Sequence, residues 1–181
     1  MQLRLRHLLQ IAMMAVIICV MGLLPPIPVG FIPVPIILQN MGIMLAGALL
    51  GGRRGLLAVL VVMLLGICGI PGGVSPLTVL VSPTGGYIMA YPLAALLIGV
   101  TVHHFGVMTT FWRQLLLVML CGVLLIDGLG TLWLAHISHM ALGKAIVANL
   151  VFWPGDTLKA IGTVIITQIC YRTQRLQKLF Q

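Results

Sequence analysis

The chain has 181 residues, of which 61% are hydrophobic and 7% are charged, and its mean hydropathy is +1.20. Soluble domains have about 45–50% apolar residues, so this composition excludes a soluble domain and predicts an integral membrane protein. The net charge of +8 comes from basic residues between or beside apolar runs, which is typical of membrane topology signals and argues against nucleic-acid binding. Because one helical span takes about 20 residues, we predict an all-α bundle of six transmembrane helices, with one domain over residues 1–181.

The first apolar run, residues 7–24, carries small residues at spacings of three and four along one predicted helix face. These residues are Ala12, Ala15, Cys19 and Gly22. Such a stripe allows another helix to approach closely. It is compatible with packing inside the bundle or with docking of a partner membrane protein, and the spacing alone does not decide between them.

A proline-rich connection and a pair of amides follow the first run. The prolines at positions 25, 26, 28, 33 and 35 predict a stiff, non-helical connection. Gln39 and Asn40 then lie near the start of the second run, residues 36–50, where hydrocarbon penalises amides that have no partner. They either hold helices together or face a ligand cavity, and we name Gln39 as a candidate ligand contact.

A segment rich in glycine, proline and hydroxyl side chains covers residues 71–86, after a third predicted span at residues 56–70. Irregular backbone near membrane depth is tolerated where it is buried in protein or lines a cavity. Its hydroxyl side chains are Ser75, Thr78, Ser82 and Thr84. Tyr87 and Tyr91 begin the fourth predicted span, residues 87–102, either as interfacial anchors or as aromatic walls of a ligand site.

The two acidic residues of the chain lie in or beside predicted spans, where a charge costs about 2.5–3.5 kcal/mol at the centre of a helix. Asp127 lies within the fifth span, residues 115–134, and its role in structure, ligand binding or a helix interface stays open. Asp156 opens the sixth span, which begins near Pro154 and ends before Arg172. Lys159 follows Asp156 at a spacing of three, which places both side chains on one helix face. This pair is the main candidate site, with a purely structural ion pair as the alternative.

Metal and redox sites have little support in the sequence. The cysteines at positions 19, 68, 121 and 170 each lie inside an apolar run, and none forms a C-x-x-C motif. His136 and His139 have a spacing of three, but two imidazoles without a third ligand do not define a metal site. We therefore predict no metal and no cofactor.

The basic residues predict the topology. In a six-span chain Arg4, Arg6, Arg53, Arg54, Arg113, Arg172, Arg175 and Lys178 fall on one side, while the opposite loops hold only Lys144. By the positive-inside rule, both termini are cytoplasmic in a multi-pass protein of the cell membrane. The proline-rich connection, segment 71–86 and the Asp156 end of the sixth span then meet at the external face, where we predict a binding pocket.

Four motifs together resemble the BioY family in order and spacing. They are Val34-Pro35-Ile36-Ile37-Leu38-Gln39, the Leu-Ala-Gly-Ala-Leu-Leu-Gly-Gly-Arg-Arg-Gly stretch at 45–55, Ser82-Pro83-Thr84-Gly85-Gly86-Tyr87, and Pro154-Gly155-Asp156-Thr157-Leu158-Lys159. The family comprises the substrate-binding (S) components of energy-coupling factor (ECF) vitamin transporters, and its members bind biotin. The resemblance covers nearly the whole chain.

This resemblance implies a six-helix S-component fold, a biotin pocket near the external face, and assembly with a transmembrane coupling subunit and two ATPases. The biotin contacts that it implies are Asp156 and Lys159, the loop motif Thr84, Gly85, Gly86 and Tyr87, and a polar residue before that motif, for which Thr78 is our candidate. S components commonly dock through an Ala-x-x-x-Ala pattern in the first helix. Here Val16 stands at the corresponding spacing from Ala12, with Ala15 adjacent, so the docking residues Ala12 and Ala15 depart from that pattern.

Two other functions are weighed against biotin uptake. One is an S component for a different small vitamin or a metal ion, although metal-ion S components resemble proteins with an N-terminal histidine and this chain opens Met-Gln-Leu-Arg. The other is an intramembrane hydrolase using Ser75 or Ser82, which lacks support because neither serine lies in a G-x-S-x-G elbow. The chain has no G-x-x-x-x-G-K-[ST] motif, so we predict no enzymatic activity in it and assign ATP hydrolysis to partner subunits.

Overall fold

The computed structural model describes residues 2–28, 34–68, 82–105 and 110–179, and in them the chain is almost entirely helical. The helices are α1 (Gln2–Leu23), α2 (Gln39–Leu50), α3 (Gly52–Ile67), α4 (Gly85–His104), α5 (Phe111–Val118), a π-helical segment (Met119–Leu124), α6 (Leu125–Ile137), α7 (Leu142–Asn149) and α8 (Trp153–Leu179). Within these ranges the extended structure amounts to one isolated backbone bridge between Ile27 and Ile36.

The predicted six-helix bundle is confirmed. α5, the π-helical segment and α6 follow one another without a break, so they form one rod from Phe111 to Ile137. Counted with α1, α2, α3, α4 and α8, this rod makes six long helical segments in the described ranges. Among the residues that the structure describes, three stretches are long and apolar enough to cross a membrane by length and composition, namely Leu5–Leu23, Gly85–His104 and Phe111–Ile137.

Two local expectations were wrong. The basic residues Arg53 and Arg54 were expected in a loop, but the turn is made at Gly51 and both arginines lie in the first turn of α3. Gly51 adopts a left-handed φ of 81°, which a glycine reaches without steric cost, so one residue suffices for the turn. The connection between the fifth and sixth spans was expected to be a loop, yet it contains the short helix α7.

α4 lies at the centre of the bundle and packs against α2, α3 and α6. Its inward face carries small residues, including Ala90, Ala94 and Ala95, which are fully buried. At Gly99 the approach to α3 is so close that a Cβ atom would overlap the backbone of Gly52. Small residues therefore let the backbones of two helices approach each other closely in this bundle, as in other membrane helix pairs.

One end of the bundle collects the features that form a site. There α1 ends, and α2, α4 and α8 begin, together with the described ends of the proline-rich connection between α1 and α2. The described ends of that connection are tied together, because Ile27 and Ile36 exchange two backbone hydrogen bonds of 2.9 Å. Arg53 and Arg54 lie at the other end, beside the turn from α2 to α3, where Arg54 Nη1 donates to Gln10 Oε1 at 3.0 Å.

Candidate functional site

A cavity of about 300 Å³ lies at the end of the bundle where α2, α4 and α8 begin. Five segments contribute to its wall: the last turn of α1, the connection to α2 with the first turn of α2, the start of α4, the middle rod, and the start of α8. The described lining residues are Gly22, Val34, Pro35, Ile36, Ile37, Gln39, Asn40, Thr84, Tyr87, Ile88, Tyr91, Asp127, Phe152, Asp156 and Lys159. Ligand sites for small molecules have volumes of about 300–1,000 Å³ and a few polar groups in an apolar wall, which is the character of this cavity.

Asp156 and Lys159 form an ion pair in the wall of the cavity. Lys159 Nζ donates to Asp156 Oδ1 at 2.7 Å, and the two residues are only 8% and 4% exposed, respectively. Their spacing of three in the first turns of α8 brings the side chains together, as the sequence indicated. A buried ion pair gains little stability over apolar residues, whereas removal of one partner leaves a charge without compensation. The pair is therefore better suited to ligand recognition than to holding the fold.

The aromatic wall comes from α4 and from the residue before α8. The hydroxyl of Tyr91 donates to Asn40 Oδ1 on α2, and the hydroxyl of Tyr87 donates to Asn149 Oδ1 on α7 at 3.1 Å. Phe152 stands edge-on to Tyr87, with ring centroids 6.4 Å apart. Because both tyrosine hydroxyls have protein partners, these residues offer their rings, which suit an apolar or cyclic part of a ligand.

Both amides at the start of α2 line the cavity. Gln39 is 5% exposed and Asn40 is 8% exposed. Asn40 also accepts the hydrogen bond from Tyr91, so it both faces the cavity and joins α2 to α4. Helix pairing is thus confirmed for Asn40, and ligand contact by Gln39 stays a prediction.

The loop motif at the start of α4 supplies two lining residues, Thr84 and Tyr87, and one packing residue, Gly86. Thr84 lines the cavity, and its hydroxyl lies 2.7 Å from that of Ser82. Gly85 and Gly86 are absent from the described lining residues. A Cβ atom on Gly86 would overlap the side chain of Trp133, whose Nε1 donates to the Ser82 carbonyl at 3.0 Å. Gly86 therefore lets α4 approach α6, while Thr78, the remaining predicted contact, lies outside the described residues.

The two predicted docking residues of α1 differ in their exposure. Ala12 is exposed, whereas Ala15 is 2% exposed and packs inside the bundle. Ala15 cannot contribute to a docking surface in this arrangement, because its side chain faces the other helices. The exposed side of α1 is otherwise apolar, with residues such as Met13 and Val16.

The described part of the structure offers no support for a metal site. The described residues contain no group of three or more His, Cys, Asp or Glu side chains that could hold a metal ion. His136 and His139, singled out by their spacing, are both exposed at and beyond the end of α6.

Phe152 and Asn149 are site residues that sequence reasoning missed, and Asp127 is one that it ranked below Asp156. Phe152 lies one helical turn before Asp156, which accounts for its place beside the cavity, and its carbonyl accepts the Asp156 backbone N–H at 2.9 Å. Asn149 supports Tyr87 from α7, a helix that was not predicted. Asp127 reaches the cavity from α6 because the bundle brings α6 against α4. Periodicity along one helix carries no signal for the contacts of Asn149 and Asp127, whereas the spacing between Phe152 and Asp156 does carry one.

Comparisons with known proteins agree with this architecture. The chain is 42% identical over 162 residues, 87% of this chain and 86% of the relative, to a protein named biotin transporter BioY from Lactococcus lactis subsp. cremoris. It is 38% identical over 170 residues, 89% of this chain and 90% of the relative, to the biotin transporter BioY of Rhizobium etli. A solved structure described as the S-component for biotin from an ECF-type ABC transporter superposes with a TM-score of 0.88 at 38% identity, covering 94% of this chain and 93% of that one. The sequence profile of the BioY family matches residues 1–176, and the chain belongs to the BioY family.

Proposed function

We propose that this chain is the biotin-binding S component of an ATP-driven ECF importer, acting as one membrane-embedded domain over residues 1–181. Support comes from the relatives, which are named biotin transporters, and from the solved S-component for biotin that shares its fold. The observation in this chain that carries the proposal is the buried Asp156–Lys159 pair in the wall of a cavity of about 300 Å³.

The chemistry of biotin matches the walls of this cavity. Biotin has an apolar thioether ring and chain, a ureido group with two N–H donors and one carbonyl, and a carboxylate. Asp156 accepts a hydrogen bond from a ureido N–H, and Lys159 meets an oxygen of the ligand. The rings of Tyr87, Tyr91 and Phe152 cover the apolar parts. Burying these polar contacts away from water gives strong rejection of analogues that lack the ureido donors, because each unmet polar group costs about 1–3 kcal/mol.

The chain lies in the cell membrane, with the cavity at the external face and both termini in the cytoplasm. Arg53 and Arg54 lie at the end of the bundle opposite the start of α8, where Asp156 and Lys159 line the cavity. The positive-inside rule places that basic end in the cytoplasm. Biotin then enters from outside, at the end of the bundle where α2, α4 and α8 begin.

Transport requires partners in this proposal. The chain has no phosphate-binding loop motif and no enzymatic activity of its own, so two ATPase subunits supply the energy through a transmembrane coupling subunit. The exposed face of α1, with Ala12 at its centre, is the surface proposed to dock on that coupling subunit. Ala12 is the small residue of that face, and large apolar side chains beside it, such as Met13 and Val16, offer contact area to a partner helix.

Titration of the purified chain in detergent tests the proposal. Biotin is expected to co-purify or to bind with high affinity, while thiamine, riboflavin and lipoate at the same concentrations do not compete. A Gln114→Leu variant serves as the control, because Gln114 is buried in α5 and is not among the described residues that line the cavity. If the wild-type chain does not bind biotin but binds another vitamin strongly, that vitamin is the substrate instead of biotin.

A further inference from the structure

Asp127 is the second acidic residue of the chain, and it lies in the wall of the same cavity as Asp156. It projects from α6, is 3% exposed, and is the only lining residue among those described that the middle rod contributes. The two carboxyl groups therefore reach one cavity from two different helices, α6 and α8.

One oxygen of the Asp127 carboxyl lacks a partner within the described residues. This Oδ2 atom is enclosed and accepts no hydrogen bond there. Lys159, the one cation among the described lining residues, already donates to Asp156 at 2.7 Å. A buried polar group without a hydrogen bond is costly, and most buried polar groups in folded proteins have a partner. The carboxyl therefore has hydrogen-bonding capacity that the described residues leave unused, and a ligand in the cavity can use it.

The other side of Asp127 offers no cation. There Asp127 borders a groove of about 330 Å³ between α6, α7 and the start of α8, lined mainly by leucines, Ile146 and Trp153. None of the described groove residues is cationic. Thr131 and Asn149 are polar members of that lining, but neither donates a hydrogen bond to Asp127 Oδ2. The cavity is the side on which Asp127 shares a wall with a cation, Lys159.

We propose that Asp127 is a specificity-determining residue that accepts a hydrogen bond from the second N–H of a cyclic urea, while Asp156 accepts one from the first. This inference rests on the proposed function, since the ligand in question is biotin. A cyclic urea carries its two N–H donors on opposite sides of the carbonyl, so one acceptor cannot serve both equally well. Carboxyl groups from α6 and α8 supply two acceptors on separate elements. Two acceptors make recognition of the urea more selective than one, because each lost N–H leaves a buried oxygen without a donor.

The test compares Asp127→Leu with wild type, using three probes: biotin and its two derivatives methylated at one or the other ureido nitrogen. Wild type is expected to bind both methylated derivatives weakly. In Asp127→Leu, biotin affinity is expected to fall about tenfold to one-hundred-fold. The loss of affinity that methylation causes, relative to biotin, is then expected to become about tenfold smaller for one derivative. For the other derivative, whose methyl group lies on the nitrogen that faces Asp156, this loss is expected to stay unchanged. If the leucine variant does not fold, the same three affinities are compared in Asp127→Ala, whose side chain is smaller than that of aspartate.

Gln114→Leu is the matched control. Gln114 is buried in the same continuous rod, and its Nε2 is likewise enclosed without a partner among the described residues, but it is not a described lining residue of the cavity. Its variant is expected to keep wild-type affinity for all three probes. An Asp127 variant that behaves like this control, or one that weakens all three probes by the same factor, would overturn the assignment. Failure of wild type to bind biotin would instead overturn the proposed function, so the two failures are distinguishable.

Discussion

Tyr91 on α4 and Asn40 on α2 are joined by a hydrogen bond from the tyrosine hydroxyl to the amide oxygen, in the wall of the cavity. Both residues are less than 10% exposed, so the bond is shielded from water. It connects the central helix of the bundle to the helix that begins beside the proline-rich connection. The cavity wall and the packing of α2 on α4 therefore depend on the same contact.

Tyr91→Phe removes this bond and keeps the ring. The buried Asn40 oxygen then loses its donor, and we expect the free energy of unfolding to fall by about 1–3 kcal/mol. Thermal unfolding of the purified variant, followed by circular dichroism, measures this change. Biotin is expected to stabilise the variant, because the ring still covers the cavity. A variant as stable as wild type would show that Asn40 finds another partner.

The Asp156–Lys159 pair is expected to be essential for binding and dispensable for folding. Asp156→Asn keeps the size of the side chain, removes its charge and leaves the Lys159 ammonium buried without compensation. We expect biotin affinity to fall at least about one-hundred-fold, since a contact between charged groups is lost and the pair is disrupted. Equilibrium binding of radiolabelled biotin in detergent provides the measurement.

A double variant separates binding from stability at this pair. Asp156→Asn with Lys159→Met removes both charges, so it is expected to regain the thermal stability that Asp156→Asn loses. Biotin affinity is expected to stay low in the double variant, because neither charged contact with the ligand is restored. Recovery of high affinity together with stability would mean that the pair serves the fold alone.

The bond between Tyr87 and Asn149 links the short helix α7, which packs against α6, to α4. Tyr87→Phe removes the hydroxyl but preserves the edge-on contact of its ring with Phe152. We expect backbone amides of α7 to exchange with solvent about two- to tenfold faster, since a net hydrogen bond contributes roughly 0.5–1.5 kcal/mol to local stability. Hydrogen–deuterium exchange of peptides covering Leu142–Asn149 measures this, and Tyr91→Phe, which touches a different helix, should leave their exchange unchanged. Equal exchange in both variants would contradict the assigned tether.

Much of the fold could be predicted from the sequence, because apolar runs in a membrane protein mark helices directly. The start of α3 was misplaced since Arg53 and Arg54 were expected to need a loop, whereas arginine side chains extend easily from a first helical turn. α7 escaped prediction because it is only eight residues long and contains Lys144 and Asn149. Tertiary contacts such as the Tyr87–Asn149 hydrogen bond stabilise its position, and local sequence patterns do not indicate such contacts.

The site could be predicted where its residues are close in sequence. Asp156 and Lys159 are neighbours on one helix face, so their contact follows from spacing alone. Phe152 lies one turn before Asp156, so its place also follows from spacing. Asp127 joins them through the packing of separate helices, which depends on how closely α4 approaches α6. Gly86 of the loop motif acts in that packing, and this role was not visible before the partner helix was placed.

Substitution of Gly86 tests how strongly the packing of α4 against α6 shapes the cavity. A Cβ atom at Gly86 would overlap the Trp133 side chain and lie 2.8 Å from the Leu129 carbonyl oxygen, so α4 and α6 must move apart to admit it. Gly86→Ala is therefore expected to lower the free energy of unfolding by about 1–3 kcal/mol. It should also weaken biotin binding, because Asp127 on α6 and Tyr87 on α4 would separate across the cavity.

Gly128→Ala on α6 is the matched control for Gly86→Ala. A Cβ atom at Gly128 meets nothing within 4 Å, so the substitution adds a better helix former without a clash. Its stability is expected to equal or exceed that of wild type by up to about 1 kcal/mol. Parallel thermal unfolding and biotin titration of the two variants give the comparison. If both glycine variants behaved alike, the close approach of α4 to α6 at Gly86 would not be what positions the two walls of the cavity.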